Sequence, residues 1–510
     1  MEKNVIWATI LSALFLFSWY HFFPPQPSIQ KDLNRDISKS FLEKTLIPQS
    51  LPNAESALET PYSQIVIDSR GAAIKSWQLK EEKGKARNEV LNLVNHPQAG
   101  APLPLEAWPL STYPELSFKE VKKSAKESVW KAMLPQGVEI EKRYALESLN
   151  GEPSYFLNFS LEFKNLKNGP AQISGFELGW KNGLGTVTSE KKENERVTRL
   201  LAYPSPTKEV VKFKTGEERA QYQWYGVDNR YYLVAIFPKE GEFYSVKTEK
   251  SKLDPGSLSL VVNNFSLLPK ENKIFRATLY GGPKGYTHLK NLNLSLENAV
   301  DFGYFGFLGK GALKALETLK RWFGNYGWAI IALTCFLQMV LLPLTLKSYQ
   351  STRAMKKLQP KIQDLQKKYK DDSTRLNQEL LQLYKSAKTN PFGGCIPMVL
   401  QIPVFWAFFT MLRNAYELKG APWIFWIKDL SQQDPIYALP IIMGGGMFLQ
   451  QKLSGSVGDP SQAKVMAFMP LIFTFMFLRF PSGLVLYWLT NSTFSILAQY
   501  LYNKKQSTAA

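Results

Sequence analysis

Cysteine and histidine are almost missing from this 510-residue chain, which holds two of the first and three of the second. Both cysteines, Cys335 and Cys395, lie outside the long polar stretch of residues 24–305, so no disulfide holds that stretch together. A domain of roughly 280 residues buries enough core without one. His21, His96 and His288 are too scattered for a metal site, and neither a metal nor another cofactor is expected. No phosphate-binding loop occurs: Gly309-Lys310-Gly311 lacks the upstream glycine spacing and the Ser/Thr after lysine. No His-Glu zinc motif, nucleophile elbow or plausible triad is found. These absences argue against fuel hydrolysis and covalent catalysis, so the chain does not read as an enzyme.

Long hydrophobic runs, by contrast, are plentiful. The mean hydropathy of −0.20 averages two unlike halves. Val5–Phe23 is apolar almost throughout, and about 20 such residues cross a bilayer core of roughly 30 Å. Pro24 and Pro25 follow with no small-x-small cleavage site and no lipobox cysteine. The run therefore reads as an uncleaved signal anchor, with a cleaved signal peptide as the alternative. Five more apolar spans fall at about 326–346, 396–414, 435–451, 463–480 and 483–503, giving six in all. Thr334, Gln338, Gln401, Thr474 and Asn491 sit inside them. A polar side chain in hydrocarbon costs about 1–3 kcal/mol or more unless it meets a partner or a wet cavity. A bundle carrying several such residues is expected to enclose a polar space. The bland alternatives are threonines bonded back to their own helix and glutamines that join neighbouring helices.

The net charge is +19, and its distribution follows topology. Between Lys347 and Lys388 eleven Lys/Arg face four acids, whereas residues 415–434 hold two lysines and three acids. By the positive-inside rule the first loop is cytoplasmic and the second lies outside. That orientation puts the N-terminus and the tail 504–510 inside, and residues 24–305 outside.

Residues 24–60, rich in Pro, Ser, Asn and charge, read as a tether. From 61 to 305 the pattern is one of short strands. Leu157, Phe159, Leu161 and Phe163 alternate with Asn158, Ser160 and Glu162. Phe176–Trp180, Gln64–Asp68, Tyr231–Phe237, Ser257–Val262 and Phe275–Leu279 repeat the habit, separated by turns such as Asn150-Gly151 and Gly281-Gly282-Pro283. Strands without intervening helices predict an antiparallel β-sandwich. Within 306–324, Leu308, Ala312, Leu316, Leu319 and Phe323 recur at helical spacing opposite Lys310, Lys314, Glu317 and Lys320. This amphipathic helix is expected at the outer membrane boundary, with packing on the sandwich as the alternative. Residues 347–390 carry two narrow apolar seams (Met355, Leu358, Ile362, Leu365, Tyr369; then Leu376, Leu380, Leu383, Ala387) around the acids of Asp371-Asp372-Ser373. They predict a cytoplasmic helical hairpin. Its lysines, Lys356, Lys357, Lys361, Lys367 and Lys368, suit an acidic partner such as ribosomal RNA or anionic lipid headgroups, or simply solvate a spacer.

The C-terminal block resembles the YidC/Oxa/Alb membrane protein insertases, in the Gram-negative YidC long form. The resemblance rests on Asn325-Tyr326-Gly327-Trp328, Pro343-Leu344, Leu358-Gln359-Pro360-Lys361-Ile362, Asn390-Pro391-Phe392-Gly393-Gly394-Cys395-Ile396-Pro397, Gln401-Ile402-Pro403-Val404-Phe405, Asp429-Leu430-Ser431, Asp434-Pro435 and Phe480-Pro481-Ser482-Gly483-Leu484-Val485-Leu486-Tyr487-Trp488. Together these motifs cover roughly 325–503. More weakly, Trp224-Tyr225-Gly226, Tyr231-Tyr232, Gly282-Pro283 and Asp301-Phe302-Gly303 resemble the large periplasmic domain of the same form.

The resemblance implies an α+β membrane protein of the bacterial inner membrane: six transmembrane helices, a periplasmic sandwich and the cytoplasmic hairpin. Five of the helices (325–503) surround a hydrophilic groove open to the cytoplasm and to lipid. It further implies that Thr334, Gln338, Gln401, Thr474, Tyr487 and Trp488 line the groove, while Ile402, Pro403, Phe405, Pro470 and Phe473 belong to the spans that touch the client. Implied partners are nascent membrane proteins, the ribosome, the Sec translocon and membrane lipid, with no small-molecule substrate. One departure stands out. Gln338 occupies the position where the family usually has an arginine, and Arg413 and Arg479 fall near the outer ends of their spans, where they read as interface snorkels. Two other readings fit the same residues: a channel or small-solute transporter, disfavoured by the lack of an inverted repeat or charge ring, and a membrane-anchored carbohydrate-binding module, disfavoured by the lack of an acid pair.

Overall fold

A computed structural model describes residues 54–80, 90–95, 101–110, 116–149, 152–187, 190–204, 209–251, 254–370, 372–387, 396–454 and 460–508. The signal anchor, most of the tether, Asn150-Gly151 and the segment Asn390–Cys395 lie outside these residues. The N-terminal part is built on a nine-stranded antiparallel sheet. Its strand order is Val211–Lys212, Arg199–Tyr203, Trp224–Asp228, Tyr232–Glu240, Asn272–Pro283, Glu152–Asn165, Val138–Leu149, Glu127–Met133 and Lys119–Lys123. The alternation in Glu152–Asn165 has its expected effect: Leu157, Phe159, Leu161 and Phe163 are buried and Asn158, Ser160 and Glu162 are not. Those buried side chains meet a second sheet, Phe176–Trp180, Ser257–Val262, Ser245–Glu249 and Gly216–Glu218. Phe163 packs on Phe176 with ring centroids 5.4 Å apart, so the two sheets form a sandwich with an aromatic core.

A four-stranded sheet, Glu55–Glu59, Ser63–Asp68, Ala73–Leu79 and Leu91–Asn92, closes one side through Trp77. Residues 55–59 thus leave the expected tether; the alternation in Glu-Ser-Ala-Leu-Glu is short and charged, but pairing with Gln64–Asp68 buries Ser56 and Leu58. Two short helices also interrupt the expected run of strands: α1 (Lys191–Val197) and α2 (Tyr286–Asn291).

The C-terminal part is helical: α3 (Gly306–Phe323), α4 (Tyr326–Lys368), α5 (Ser373–Ser386), α6 (Ile396–Asn414), α7 (Ala438–Ser454), α8 (Pro460–Phe477) and α9 (Ser482–Thr508). Gly324, at φ +70°, ends α3 in the left-handed conformation that L side chains avoid. Asn325 then caps α4 by accepting from the Gly327 N–H at 2.7 Å, and its amide donates to the Pro422 carbonyl at 2.8 Å. One residue thus sets where α4 begins and holds the next outer loop to it.

Two expectations are corrected here. The second span and the first hairpin helix are one 43-residue helix, because no glycine or cap interrupts residues 328–368 and the helix absorbs Pro343 and Pro360. The hairpin's second helix does start at its expected acid, Asp372, which accepts from the Arg375 N–H at 2.9 Å. Among the described residues only α4 is long and apolar enough to cross a membrane on length and composition alone. Finally, α3 buries Gly309, Ala312, Leu313 and Leu316 against the helical block, while Phe323, expected on that face, is exposed.

The sheet domain and the helical block share a core. Leu201, Trp224, Leu233 and Tyr280 of the large sheet belong to the same buried cluster as Leu316, Ile330, Phe408 and Leu486. The Asp301-Phe302-Gly303 turn sits at this junction. Arg199 bridges Asp228 (3.0 Å) and Asp301 (2.8 Å), Lys212 reaches Asp301 at 2.9 Å, and the Asp301 carbonyl accepts from Asn414 of α6 at 2.9 Å. Burial acts to raise the Asp301 carboxyl, but Arg199 and Lys212 outweigh it and hold the group at about 2.

Candidate functional site

Helices α4, α6, α7, α8 and α9 form a bundle whose two ends differ. At the end next to the sheet domain the interior is filled. Met411 and Leu412 of α6 and Leu484–Tyr487 of α9 are buried, Phe408 stacks on Tyr487 at 4.8 Å, and Phe477 meets Phe480 at 4.9 Å. The loop between α6 and α7 seals the rim. Asp434, itself buried, accepts from the Trp426 indole at 3.0 Å and from the Leu439 N–H at 2.7 Å. Gln432 accepts through its carbonyl from the Ser482 N–H at 2.7 Å, which ties the loop to the start of α9.

Below that seal stands Trp488. Its ring meets Phe405 of α6 edge-on at 5.0 Å and stacks on Phe473 of α8 at 5.9 Å. A single indole therefore spans the gap between α6 and α8, whose backbones otherwise rest on other neighbours. Phe405, Phe473 and Trp488 are each half-buried, and Pro403 with them, while Ile402 is exposed and Pro470 is buried inside α8.

Deeper still lie the amides and hydroxyls singled out from the sequence. Thr334 and Thr474 donate back to the Ile330 and Pro470 carbonyls of their own helices, both at 2.7 Å. The Gln338 amide donates to the Asn491 side-chain carbonyl, and the Gln401 amide to the Tyr487 hydroxyl at 3.1 Å. These contacts follow the bland alternatives: back-bonded threonines and helix-bridging glutamines. Both bridges end on α9, on Tyr487 and Asn491, four residues apart and so on one face. Asn491 is visible in the sequence as a polar residue in a span, and that spacing is the signal that marks it as a site residue. Each glutamine amide has two donors and an accepting oxygen, and the bridges use one donor of each. Of the hairpin lysines, Lys357, Lys361, Lys367 and Lys368 are exposed, whereas Lys356 is half-buried and turns towards α7.

The outward faces of the bundle are apolar. Phe336, Met339 and Val340 of α4, Ile441, Ile442 and Phe448 of α7, and Phe468, Leu471 and Phe475 of α8 are each more than half exposed. Bands of that size on several adjacent helices mark a surface that meets something other than water.

Comparison with known proteins accounts for both parts of the chain. Residues 55–313 match the YidC periplasmic domain model, and residues 318–509 match that of the 60Kd inner membrane protein. The membrane protein insertase YidC of Endomicrobium trichonymphae is 41% identical over 539 aligned residues, covering 99% of each chain. That of Syntrophus aciditrophicus is 34% identical over 552, covering 99% of this chain and all of the other.

This chain belongs to the YidC family of membrane protein insertases.

As a YidC-family insertase it acts on nascent membrane proteins at the inner membrane, and its sandwich is the family's periplasmic domain. The channel and carbohydrate-binding alternatives fall with that assignment. A solved YidC insertase with its first transmembrane domain resolved aligns over 88% of this chain and 92% of its own, at 20% identity and a TM-score of 0.40.

Proposed function

We propose that the insertase works as a passive, non-enzymatic slide built from α4 and α6–α9, with an N-terminal signal anchor as the sixth span. In this reading residues 1–23 anchor the chain, 24–54 lead to a periplasmic domain that the pairing of Glu55–Glu59 extends to 55–305, and α3 lies at the outer membrane boundary. The core of 325–503 carries the hairpin (347–390) and the tail 504–510 on the cytoplasmic side. The observation that carries this is the asymmetry of the bundle: filled with buried aromatic side chains at the outer end, and lined by amides below Trp488. A nascent segment arrives beside the basic hairpin, from the ribosome alone or with the Sec translocon. Its polar flank is solvated by the remaining donors and acceptors of Gln338, Gln401 and Asn491 with water. Each backbone group so satisfied avoids a penalty of several kcal/mol in hydrocarbon. Its apolar part leaves between α6 and α8, past Phe405, Phe473 and Trp488. Burial of apolar surface at roughly 25 cal/mol per Å² drives the exit. With Gln338 in place of an arginine, hydration rather than charge attraction receives the chain.

Photocrosslinking to a ribosome-stalled client tests the path. Probes at 334, 338, 401 and 474 should capture the client, while a probe at 411, in the outer plug, should not. Capture at 411 with none at the four inner positions would overturn the reading.

A further inference from the structure

The loop between α6 and α7 carries two aromatic residues in the left-handed backbone region that bulky side chains avoid, Phe425 at φ +52° and Tyr437 at φ +58°. Phe425 is the first central residue of a turn closed by the Ile427 N–H on the Ile424 carbonyl at 3.1 Å. Trp426, the second, is not left-handed, so the turn has the type II′ pattern, in which glycine is the usual occupant of the first position. The base of the turn is firm. The Trp423 N–H donates to the Ile427 carbonyl at 3.0 Å, and the Leu430 N–H to the Ala421 carbonyl at 2.9 Å. The Asp434 carboxylate ties the two strained sites together, accepting from the Trp426 indole at 3.0 Å and from the Ile436 N–H at 3.1 Å. What the strain presents is apolar surface: Phe425 is 77% exposed, Ile436 57% and Tyr437 42%. Among the described residues the one ring beside Phe425 is Trp426, at 5.9 Å. A phenyl ring held in the open where glycine would sit more easily marks a contact outside the chain.

The level of the loop says what that contact is. Trp423, two residues before the tip, packs on the first turn of α4. Its ring lies 2.1 Å from where a Cβ at Gly327 would fall and 5.8 Å from the Trp328 ring. Trp328, itself exposed, stands about 12 Å along the helix from Phe336, where the exposed apolar side of α4 begins. Tyr437 accepts from the Ile441 N–H at 3.3 Å and so sits one turn before the exposed Ile441 and Ile442 of α7. The bared rings of the loop thus continue the apolar sides of the bundle and form their outer edge. Aromatic side chains gather at this boundary in membranes, at the level of the headgroups. We propose that the turn 423–427 is a wedge seated in the outer leaflet, with Phe425 and Tyr437 among the lipids at the boundary between headgroups and acyl chains. The proposal rests on the reading that the bundle crosses the bilayer with this loop outside, and it adds lipid as the partner of the loop.

Spin-label accessibility in liposomes of phosphatidylethanolamine and phosphatidylglycerol, with no client or partner protein, tests the wedge. In the full-length protein with Cys335→Ser and Cys395→Ser, a nitroxide is attached through Phe425→Cys or, as an aqueous control, through Leu166→Cys at an exposed position of the sandwich. At 425 relaxation by oxygen, which concentrates in lipid, should exceed relaxation by a water-soluble nickel chelate; at 166 the order should reverse. Nickel access at 425 equal to that at 166 overturns the wedge. Shielding of 425 from both reagents overturns the lipid assignment in favour of a protein cover, such as a second copy of this chain. Should the label at 425 disturb the fold, Tyr437→Cys decides by the same two readings. Phe425→Gly is an independent check, since it relaxes the backbone while it removes the ring. Its unfolding midpoint in detergent should hold or rise; a lower midpoint would assign the ring to the fold and overturn the proposal. Because no client is present, failure here is separate from failure of the crosslinking test.

Discussion

Lys419, in the loop after α6, points its ammonium into the sheet domain and donates to the Tyr232 hydroxyl at 2.9 Å. Glu190 lies 3.4 Å away, the rings of Tyr231 and Tyr232 flank the cation at 5.1 and 4.8 Å, and the lysine side chain is 1% exposed. A charge from the helical block is thus neutralised inside the periplasmic domain. Lys419→Met should remove the lysine partner of the buried Glu190 carboxylate, at a cost of about 3–5 kcal/mol. Thermal unfolding of the full-length protein in detergent should show a lower midpoint, with Glu190→Gln in the same chain restoring most of it. An unshifted midpoint in the single variant would refute the role assigned to the pair.

The Gln338–Asn491 bridge predicts non-additive substitutions. Asn491→Leu alone strands the Gln338 amide in the bundle, while Gln338→Leu and Asn491→Leu together remove both partners. A double-mutant cycle on stability should give a coupling of about 1 kcal/mol. If both glutamine bridges also solvate clients, the double variant should be nearly as stable as wild type yet insert polar-flanked clients more slowly. Wild-type insertion rates would make the bridge purely structural.

Gly444 has a specific reason to be glycine. A Cβ there would fall 2.0 Å from the Thr474 hydroxyl oxygen, so α7 and α8 meet without room for a methyl group. Gly444→Ala should destabilise by about 1–3 kcal/mol. Adding Thr474→Ala should recover part of this, because the nearest remaining atom is then 3.2 Å away. Equal stability of the single and double variants would count against the close approach.

In the sandwich, Lys142 is fully buried and donates to the Gly71 and Leu105 carbonyls, both at 2.7 Å. Burial pushes its pKa down to about 7, against the opposing pull of Glu106. In the unfolded chain the lysine keeps its proton up to about 10.4. Between those values the unfolded state binds more protons, so stability should rise with pH from about 7 towards 10. Unfolding midpoints at pH 6.5, 8 and 9 should climb in the wild type, with a flatter slope in Lys142→Met. That variant should also be less stable throughout, since two buried carbonyls lose their donor. Identical slopes would show that Lys142 does not titrate in this window.

What could be read from the sequence follows the range of the forces involved. Leu157–Phe163 and the stripe of α3 repeat at the period of their own element, so local pattern finds them. Asp372 caps its helix through a contact three residues away, which spacing also reveals. The partner of Lys419 lies more than two hundred residues off, and that of Gln338 about one hundred and fifty. No local period encodes such pairs, so the polar residues were legible but not what they touch. The resemblance supplied the family and the groove-facing candidates; the structure added that the bonds of Gln338 and Gln401 converge on α9. The unbroken course of α4 is hidden in the sequence because a cluster of lysines and a proline resembles a boundary, although neither stops a helix whose other residues favour it.

That unbroken course has a mechanical consequence. Forty-three residues make a rod of about 65 Å, pinned at one tip by Asn325 and ending among the lysines at the other. A lean of roughly 5° about the pinned tip would sweep the far tip through about 6 Å. A load arriving at the hairpin is thereby geared down to a fine adjustment beside Gln338, near the fulcrum.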